Sequence, residues 1–426
     1  MRARLCYTVA LFAAALGQLT LANPGPYIEL PKAGLLPHQL AVLYLKGNEQ
    51  SEAIARYYQQ QRGIPSANLI AITLPADKTS VGVGEFAVQK NILDRRLSSD
   101  VQALALAWAT PYQVGCMSIT AAFALGYDVA YCASGCKATR TSPYYHSGSS
   151  APFNDFAMRP TIMLAASNTD DALRLIDRGI KADNSLPLGH AFLLKTSDKR
   201  RSVRHVFFDE IDKTFGDRLD IHILNRDAIK HRSDILFYFT GKERVQHLDT
   251  LSFLPGAMAD HLTSAGGQLT DSSQMSALRW IEAGATGSYG SALEPCNFVE
   301  KFPNPLLAMW HYLSGATMIE AYWKSVHMPG QGNFIGEPLA SPFNGYRLLR
   351  KKDRIQVYSP VLRHGQYRII ADNGFDDWSL SRGKATNAPL SALMEQVSMQ
   401  SVTKYRPYLE LKPPYQRRYR IERLVQ

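Results

Sequence analysis

From residue 37 onward the chain alternates short apolar runs with amphipathic stretches. QLAVLYL (39–45), NLIAITL (68–74) and ALALAW (103–108) are almost wholly apolar and read as strands buried on both faces. Between them QSEAIARYYQQQRG (50–63) sets Ala53, Ile54, Tyr57 and Tyr58 on one helical face and stops at Gly63, and GEFAVQKNILDRRLSS supplies a second helix. Strand–helix–strand–helix–strand with apolar strands predicts a parallel sheet covered on both sides. The stretch from TPYQVGCMSITAAFALG to PFNDF is rich in Tyr, Ser, Gly and Cys. It predicts a long irregular excursion with one short helix over 109–160, and loops of that length in compact domains often carry function.

The alternation then resumes. TIMLAAS (161–167) reads as a strand, TDDALRLIDRGIKAD as a helix capped by Thr169, and HAFLLKTSD as a strand. SVRHVFFDEIDKTFG is a helix, followed by the strands DIHILN and ILFYFTG. MSALRWIEAGA is a helix leading into TGSYGSAL, and PLLAMWHYLSGATMIEAYWKSV reads as two helices broken near Ser314-Gly315. From about residue 344 the texture changes to short β-like runs, RIQVYSPV and QYRIIADN, and a tail rich in Tyr and Arg. The predicted fold is α/β: two adjacent doubly wound, mostly parallel sheets followed by a small β-rich C-terminal part. The expected units are an N-terminal α/β subdomain over 37–167, a second over 168–343, and a basic β-rich region over 344–426.

The first residues break this pattern. MRARLCYTVALFAAALGQLTLA has Arg2 and Arg4, an apolar run from Leu5 to Leu16, and small residues at Thr20 and Ala22. That is the layout of a signal peptide cut after Ala22, which predicts an exported protein of the periplasm or cell envelope, or a secreted one. No later segment approaches the ~20 apolar residues of a membrane-crossing helix. In an oxidising compartment Cys116, Cys132, Cys136 and Cys296 are expected to form two disulfides. Three pairings are open; the short spacing favours Cys132 with Cys136, leaving Cys116 with Cys296. The Cys-x3-Cys spacing is not that of a zinc ribbon and no His-x3-His pair occurs, so neither a metal nor a cofactor is expected.

The formal net charge is +10. From Asn344 onward sixteen Lys or Arg face seven Asp or Glu, so nearly all of the surplus belongs to the C-terminal region. A basic region beside a near-neutral body suggests an anionic envelope surface or polymer as partner. No nucleic-acid-binding motif accompanies it.

GATGSYGSALEPC (284–296), FPNPLLAMW (302–310), GATMIEAYWKS (315–325) and NFIGEPLASPF (333–343), with ARYYQQQRGIP (55–65), resemble a family of exported bacterial proteins that carries these blocks in this order. The resemblance spans most of 37–343 and implies a fold, since no activity is established for that family. More distantly, the order of an apolar strand ending in Gly, a Gly-Ala strand ending Gly-Ser, and a Glu-Ala helix is similar to gingipain-like, caspase-like cysteine peptidases. There the dyad histidine adjoins the glycine after the strand matching ILFYF, and the cysteine ends the next strand. Here the first strand ends Thr240-Gly241-Lys242-Glu243, and the matching next segment, FLPGAMADHLTS, has no cysteine. A thiol peptidase needs a thiolate and a base beside it. The usual dyad is absent.

Substitutes are sought where open α/β sheets place their chemistry, at the carboxyl ends of strands. His261 as base with Cys296 as nucleophile is one candidate arrangement. Asp260, Glu243 and Glu294 as acid and base is another. Thr240, Gly241, Lys242, Glu243 and Ser291 would border the pocket, with the 109–150 excursion as its lid. No Gly-x-Ser-x-Gly elbow surrounds Ser291. The reading favoured is a binding or structural envelope protein that has lost the dyad; the alternative is a hydrolase with a substituted site.

Overall fold

The computed structural model describes residues 25–133, 136–372 and 396–424; the leader expected at 1–22 lies outside them. In chain order the strands are β1 (Tyr27–Glu29), β2 (Leu40–Leu45), β3 (Leu69–Ile72), β4 (Ala103–Leu106), β5 (Thr161–Met163) and β6 (His190–Lys195). Then follow β7 (Asp220–Asn225), β8 (Arg232–Thr240), β9 (Leu251–His261), β10 (Gly287–Ser291) and β11 (Gly332–Gly336). The C-terminal strands are β12 (Arg347–Lys351), β13 (Arg354–Tyr358), β14 (Gly365–Asp372), β15 (Gln396–Val402), β16 (Leu409–Leu411) and β17 (Arg418–Arg423). The helices are α1 (Glu49–Arg62), α2 (Val83–Arg96), α3 (Ile119–Leu125), α4 (Pro152–Phe156) and α5 (Thr169–Ala182). They continue with α6 (Phe208–Phe215), α7 (Leu278–Ala283), α8 (Pro305–Leu313) and α9 (Met318–Trp323).

Local chemistry explains most of these limits. Asn48 accepts the Ser51 amide at 2.9 Å to start α1, and Gly63 ends it at φ 63°, a conformation that glycine adopts without strain. Ile235 to Phe239 of β8 are completely buried, each contributing about 1.5–3 kcal/mol of apolar burial. α5 buries Ala172, Leu175, Ile176 and Gly179 on one stripe. Gly179 leaves the space that Glu337 fills: a Cβ there would lie 2.4 Å from Glu337 Cγ. Glu337 is paired with Arg62 at 2.6 Å and accepts the Tyr58 hydroxyl, and Arg62 also reaches Asp183, so α1, α5 and the end of β11 are locked by one buried network.

Ten strands form a single sheet in the order β7-β6-β8-β9-β10-β11-β5-β4-β2-β3. Every ladder in it is parallel except β10 with β11. A mixed α/β fold with a large, mostly parallel sheet is therefore present, but the two adjacent sheets expected from the sequence are one. The join is made by β11, which runs antiparallel to β10 and parallel to β5. Glycines permit it: Gly287 faces Gly336 in the ladder, and a Cβ at Gly332 would meet the Tyr289 hydroxyl at 1.7 Å. GNFIG holds only Phe334 and Ile335 as large apolar residues, too short a run to announce a central strand. One consequence governs the site: β2 to β5 point opposite to β6 to β10, so their carboxyl ends lie on opposite edges of the sheet.

Beyond Gly345 two small sheets, β1-β17-β14-β15 and β12-β13-β16, share one core that includes Ile28, Val357, Tyr367, Leu409 and Ile421. β1 comes from the start of the described chain and pairs parallel with β17, Tyr27 opposite Arg418. The N-terminal stretch is thus built into the C-terminal strands.

Candidate functional site

β8, β9 and β10 end side by side, with Thr240 opposite His261 and Met258 opposite Gly287. The structure therefore brings Thr240, Asp260, His261 and Ser291 to one edge, as the sequence suggested. All four are buried. The 263–277 segment covers the edge: the Gly267 amide donates to the Ser291 carbonyl at 2.8 Å and the Ala277 amide to the Gly266 carbonyl at 2.7 Å. A Cβ at Gly267 would lie 2.0 Å from the Gly290 oxygen, and one at Gly241 would lie 1.8 Å from the Arg201 oxygen.

The charged and imidazole groups are paired, while Thr240 Oγ1, Asp260 Oδ2 and Ser291 Oγ are buried without a hydrogen-bond partner. Asp260 is paired with Arg204 at 2.6 Å, and Arg204 also donates to the Thr240 carbonyl at 2.8 Å. Burial pushes the Asp260 carboxyl up, and Arg204 partly offsets this. His261 donates from Nε2 to the Met275 carbonyl at 3.1 Å and accepts the Trp280 indole N–H at Nδ1, 2.9 Å away. Burial holds its pKa down at about 3, so it stays neutral. Lys242 is paired with Asp227 at 2.5 Å beside Ser197. Glu243 is half-exposed, 3.9 Å from Arg201. Glu294 is exposed and accepts the Cys296 amide at 2.7 Å.

Cys296 offers no thiol, because it is bonded to Cys136 with Cα atoms 5.5 Å apart. Cys116 is bonded to Cys132, with Cα atoms 5.3 Å apart. Both separations lie in the ordinary range for disulfides. This corrects the expected pairing of Cys132 with Cys136 and of Cys116 with Cys296. The excursion folds back on itself at the tight turn between Gln113–Val114 and Met117–Ser118, which carries Cys116 to Cys132. Lys137 is held elsewhere, its carbonyl accepting from the buried Lys301 at 2.7 Å, and this seats Cys136 beside Cys296. Two disulfides fit an extracellular or periplasmic setting, and no helix among the described residues is long and apolar enough to cross a membrane.

Cavities open elsewhere in the described structure. A cavity of about 330 Å³ sits at the carboxyl ends of β2, β4 and β5, where the strand order reverses. Its polar groups are largely engaged: Asn48 caps α1, Ser51 accepts the Leu45 amide at 2.9 Å, and Thr110 donates to the Ala76 carbonyl. No ionisable side chain lines it.

A cavity of about 620 Å³ opens between the α/β body and the C-terminal strands. Its apolar wall includes Leu188, Phe215, Trp310, Leu313 and Phe343, and Leu188 and Trp310 are exposed, Trp310 by 46%. Its rim carries Arg218, Arg347, Arg363 and His364, and no acidic residue lines it. Arg347 donates to the Leu186 carbonyl at 2.8 Å, which aims it along the seam. Burial and the neighbouring Arg423 press the Arg363 guanidinium below its usual range. Burial, with the nearby Lys324, His146 and Arg363, holds His311 at about 3. Sequence reading assigned the surplus charge to the C-terminal region but did not single out these residues. Trp310 was the available signal: an aromatic on the solvent side of a helix.

No family model matches the chain, and no curated protein matches it. Among solved structures it is similar to a protease at 13% identity, covering 79% of this chain and 87% of that one with a TM-score of 0.35. It is also similar to the complex of the pro- and mature domains of Porphyromonas gingivalis RgpB, at 9% identity, covering 89% and 94% with a TM-score of 0.42.

Proposed function

We propose that this chain is an exported binding protein without thiol chemistry, and that its ligand is an amphipathic anion seated in the 620 Å³ cavity. The observation that carries this reading is the lining: exposed apolar surface, three arginines and a histidine, and no acid. An exposed Trp310 beside Leu188 is costly surface for a soluble protein unless something covers it. Clustered cations with no facing carboxylate repel one another, and an anion relieves that repulsion. A chain carrying both an apolar body and a phosphate or carboxylate head satisfies both halves of the cavity. The sealed edge at Asp260 and His261 supports binding over catalysis, since no open base and no thiol is present there. The anionic surface expected as partner of the basic C-terminal region is then met through this cavity.

Calorimetric titration with dodecyl phosphate and with dodecyltrimethylammonium tests the reading below their micelle-forming concentrations. The expected result is saturable binding of the phosphate alone, accompanied by a change in Trp fluorescence that Trp310→Phe removes. Arg218→Glu with Arg363→Glu should weaken binding at least tenfold, equivalent to about 1.4 kcal/mol. Equal binding of the cationic amphiphile, or unchanged affinity in the double variant, would refute it.

A further inference from the structure

The outermost pair of the large sheet, β6 and β7, carries three metal-ligating side chains on one face, just beyond Leu188 and Leu219 of the cavity lining. Asp220 lies directly opposite His190 in the parallel ladder, and His222 lies two residues further along β7. Residues two apart on a strand share a face, so all three side chains project together. His190 Nδ1 is 2.9 Å from Asp220 Oδ2, His222 Nε2 is 3.4 Å from the same oxygen, and the two nitrogens are 3.2 Å apart. Among the described residues this is the one group of three or more such side chains whose ligand atoms all converge within 4.8 Å.

The triangle has the dimensions of a coordination face. Atoms with those three separations lie on a circle of radius about 1.8 Å, just inside the ~2.0–2.1 Å bonds that zinc makes to imidazole nitrogen and carboxylate oxygen. An ion at bonding distance from all three therefore sits less than about 1 Å above their plane, on the solvent side. The side chains are 36%, 62% and 35% exposed, which leaves further coordination positions to water. The two imidazole nitrogens and the carboxylate oxygen that face one another are all acceptors when deprotonated. A divalent cation binds such acceptors in place of protons. The His222 ring is also held in place, stacked on the buried Phe192 with centroids 4.8 Å apart and planes 14° apart.

The strand that would benefit is weakly held. β7 is the edge of the sheet, pairs only with β6, and has no fully buried residue. Packing gives it little, so a bond across the ladder matters more there than at any central strand. We propose that His190, Asp220 and His222 bind one divalent transition-metal ion, zinc by ligand chemistry, and that the ion clips β7 to β6. The two imidazoles and one carboxylate suit zinc better than magnesium or calcium, which prefer all-oxygen sites.

Equilibrium dialysis of the purified chain against Zn²⁺ at pH 7.5 should yield one bound ion per chain, and Co²⁺ should give a visible absorption band of a low-symmetry nitrogen–oxygen site. His190→Ala, His222→Ala and Asp220→Asn should each lower zinc affinity at least tenfold, while His38→Ala, a change at an exposed histidine elsewhere, leaves it unchanged. Hydrogen exchange supplies the second readout: zinc should slow exchange of the β7 amides in the wild type and not in His222→Ala. A stoichiometry that survives all three substitutions, or zinc binding with no change in β7 protection, overturns the proposal. So does the absence of bound zinc in a wild type whose circular dichroism shows it folded.

Discussion

His261 makes the chain's stability depend on acid in a way that can be worked out from its two hydrogen bonds. Its Nδ1 already accepts the Trp280 N–H and its Nε2 proton goes to the Met275 carbonyl. A second proton would have to sit on Nδ1, pointing at another donor, inside a site with no counter-ion for it. The folded pKa is accordingly held at about 3, against about 6.5 in the unfolded chain. A depressed folded pKa means that the neutral group's contribution is fully present above pH 6.5 and drains away as pH falls toward 3. The loss is about 1.4 kcal/mol per pH unit in that window, so about 2 kcal/mol between pH 7.5 and pH 5. His311, also held near 3 by burial and nearby cations, adds about as much again. Together they would remove a large part of a typical stability of about 5–15 kcal/mol. Urea unfolding of wild type and His261→Gln at several pH values between 7.5 and 5 isolates the first term, because every other group titrates in both proteins. The variant should be less stable at pH 7.5 by about 1–3 kcal/mol, through the unpaired Trp280 donor. Its stability should fall less steeply with acid, by about one proton's worth. Parallel slopes, or a His261 imidazole seen to titrate near 6.5 by NMR, would refute the reasoning.

Three further outcomes concern the buried edge and the excursion. Peptide mapping without reduction should recover Cys116 linked to Cys132 and Cys136 linked to Cys296, with Cys296 inert to alkylation until reduced; a Cys132–Cys136 peptide would contradict the structure. Because the Cys136–Cys296 link spans 160 residues and Cys116–Cys132 spans 16, loop entropy assigns about 5 and about 3 kcal/mol to them, and paired Ser substitutions should rank in that order in urea. Arg204→Met and Asp260→Leu should each cost about 3–5 kcal/mol by leaving a buried charge alone, whereas the double variant should return to within about 1 kcal/mol of wild type. A double-mutant cycle with no coupling would show that the pair is not the buried unit described.

Much of the scaffold was legible because its signals are local. The apolar runs that became β2, β4, β6 and β8 state their burial directly, and Asn48 and Gly63 mark the ends of α1 through hydrogen bonds made within a few residues. By contrast, α5 is capped by Asn168, which accepts the Asp171 amide, and not by the expected Thr169. The candidate edge was legible too, in that Thr240, Asp260, His261 and Ser291 do come together. Whether that edge is open depends on 263–277 lying down over it, which rests on glycine-to-glycine approach between Gly267 and Gly290 that no periodicity encodes.

The sequence by itself determined the alternating α/β order, the buried strands and the basic C-terminal surplus, since each follows from residue type and short-range period. Only the tertiary structure decided that two sheets are one through GNFIG, that Cys136 reaches Cys296, and that β1 joins β17 from the other end of the chain. It also decided that Arg218 and Arg363 line one cavity, and that His190 faces Asp220 and His222. These are pairings between residues far apart in the chain, and their energies depend on register and close approach, which a single strand or helix does not contain.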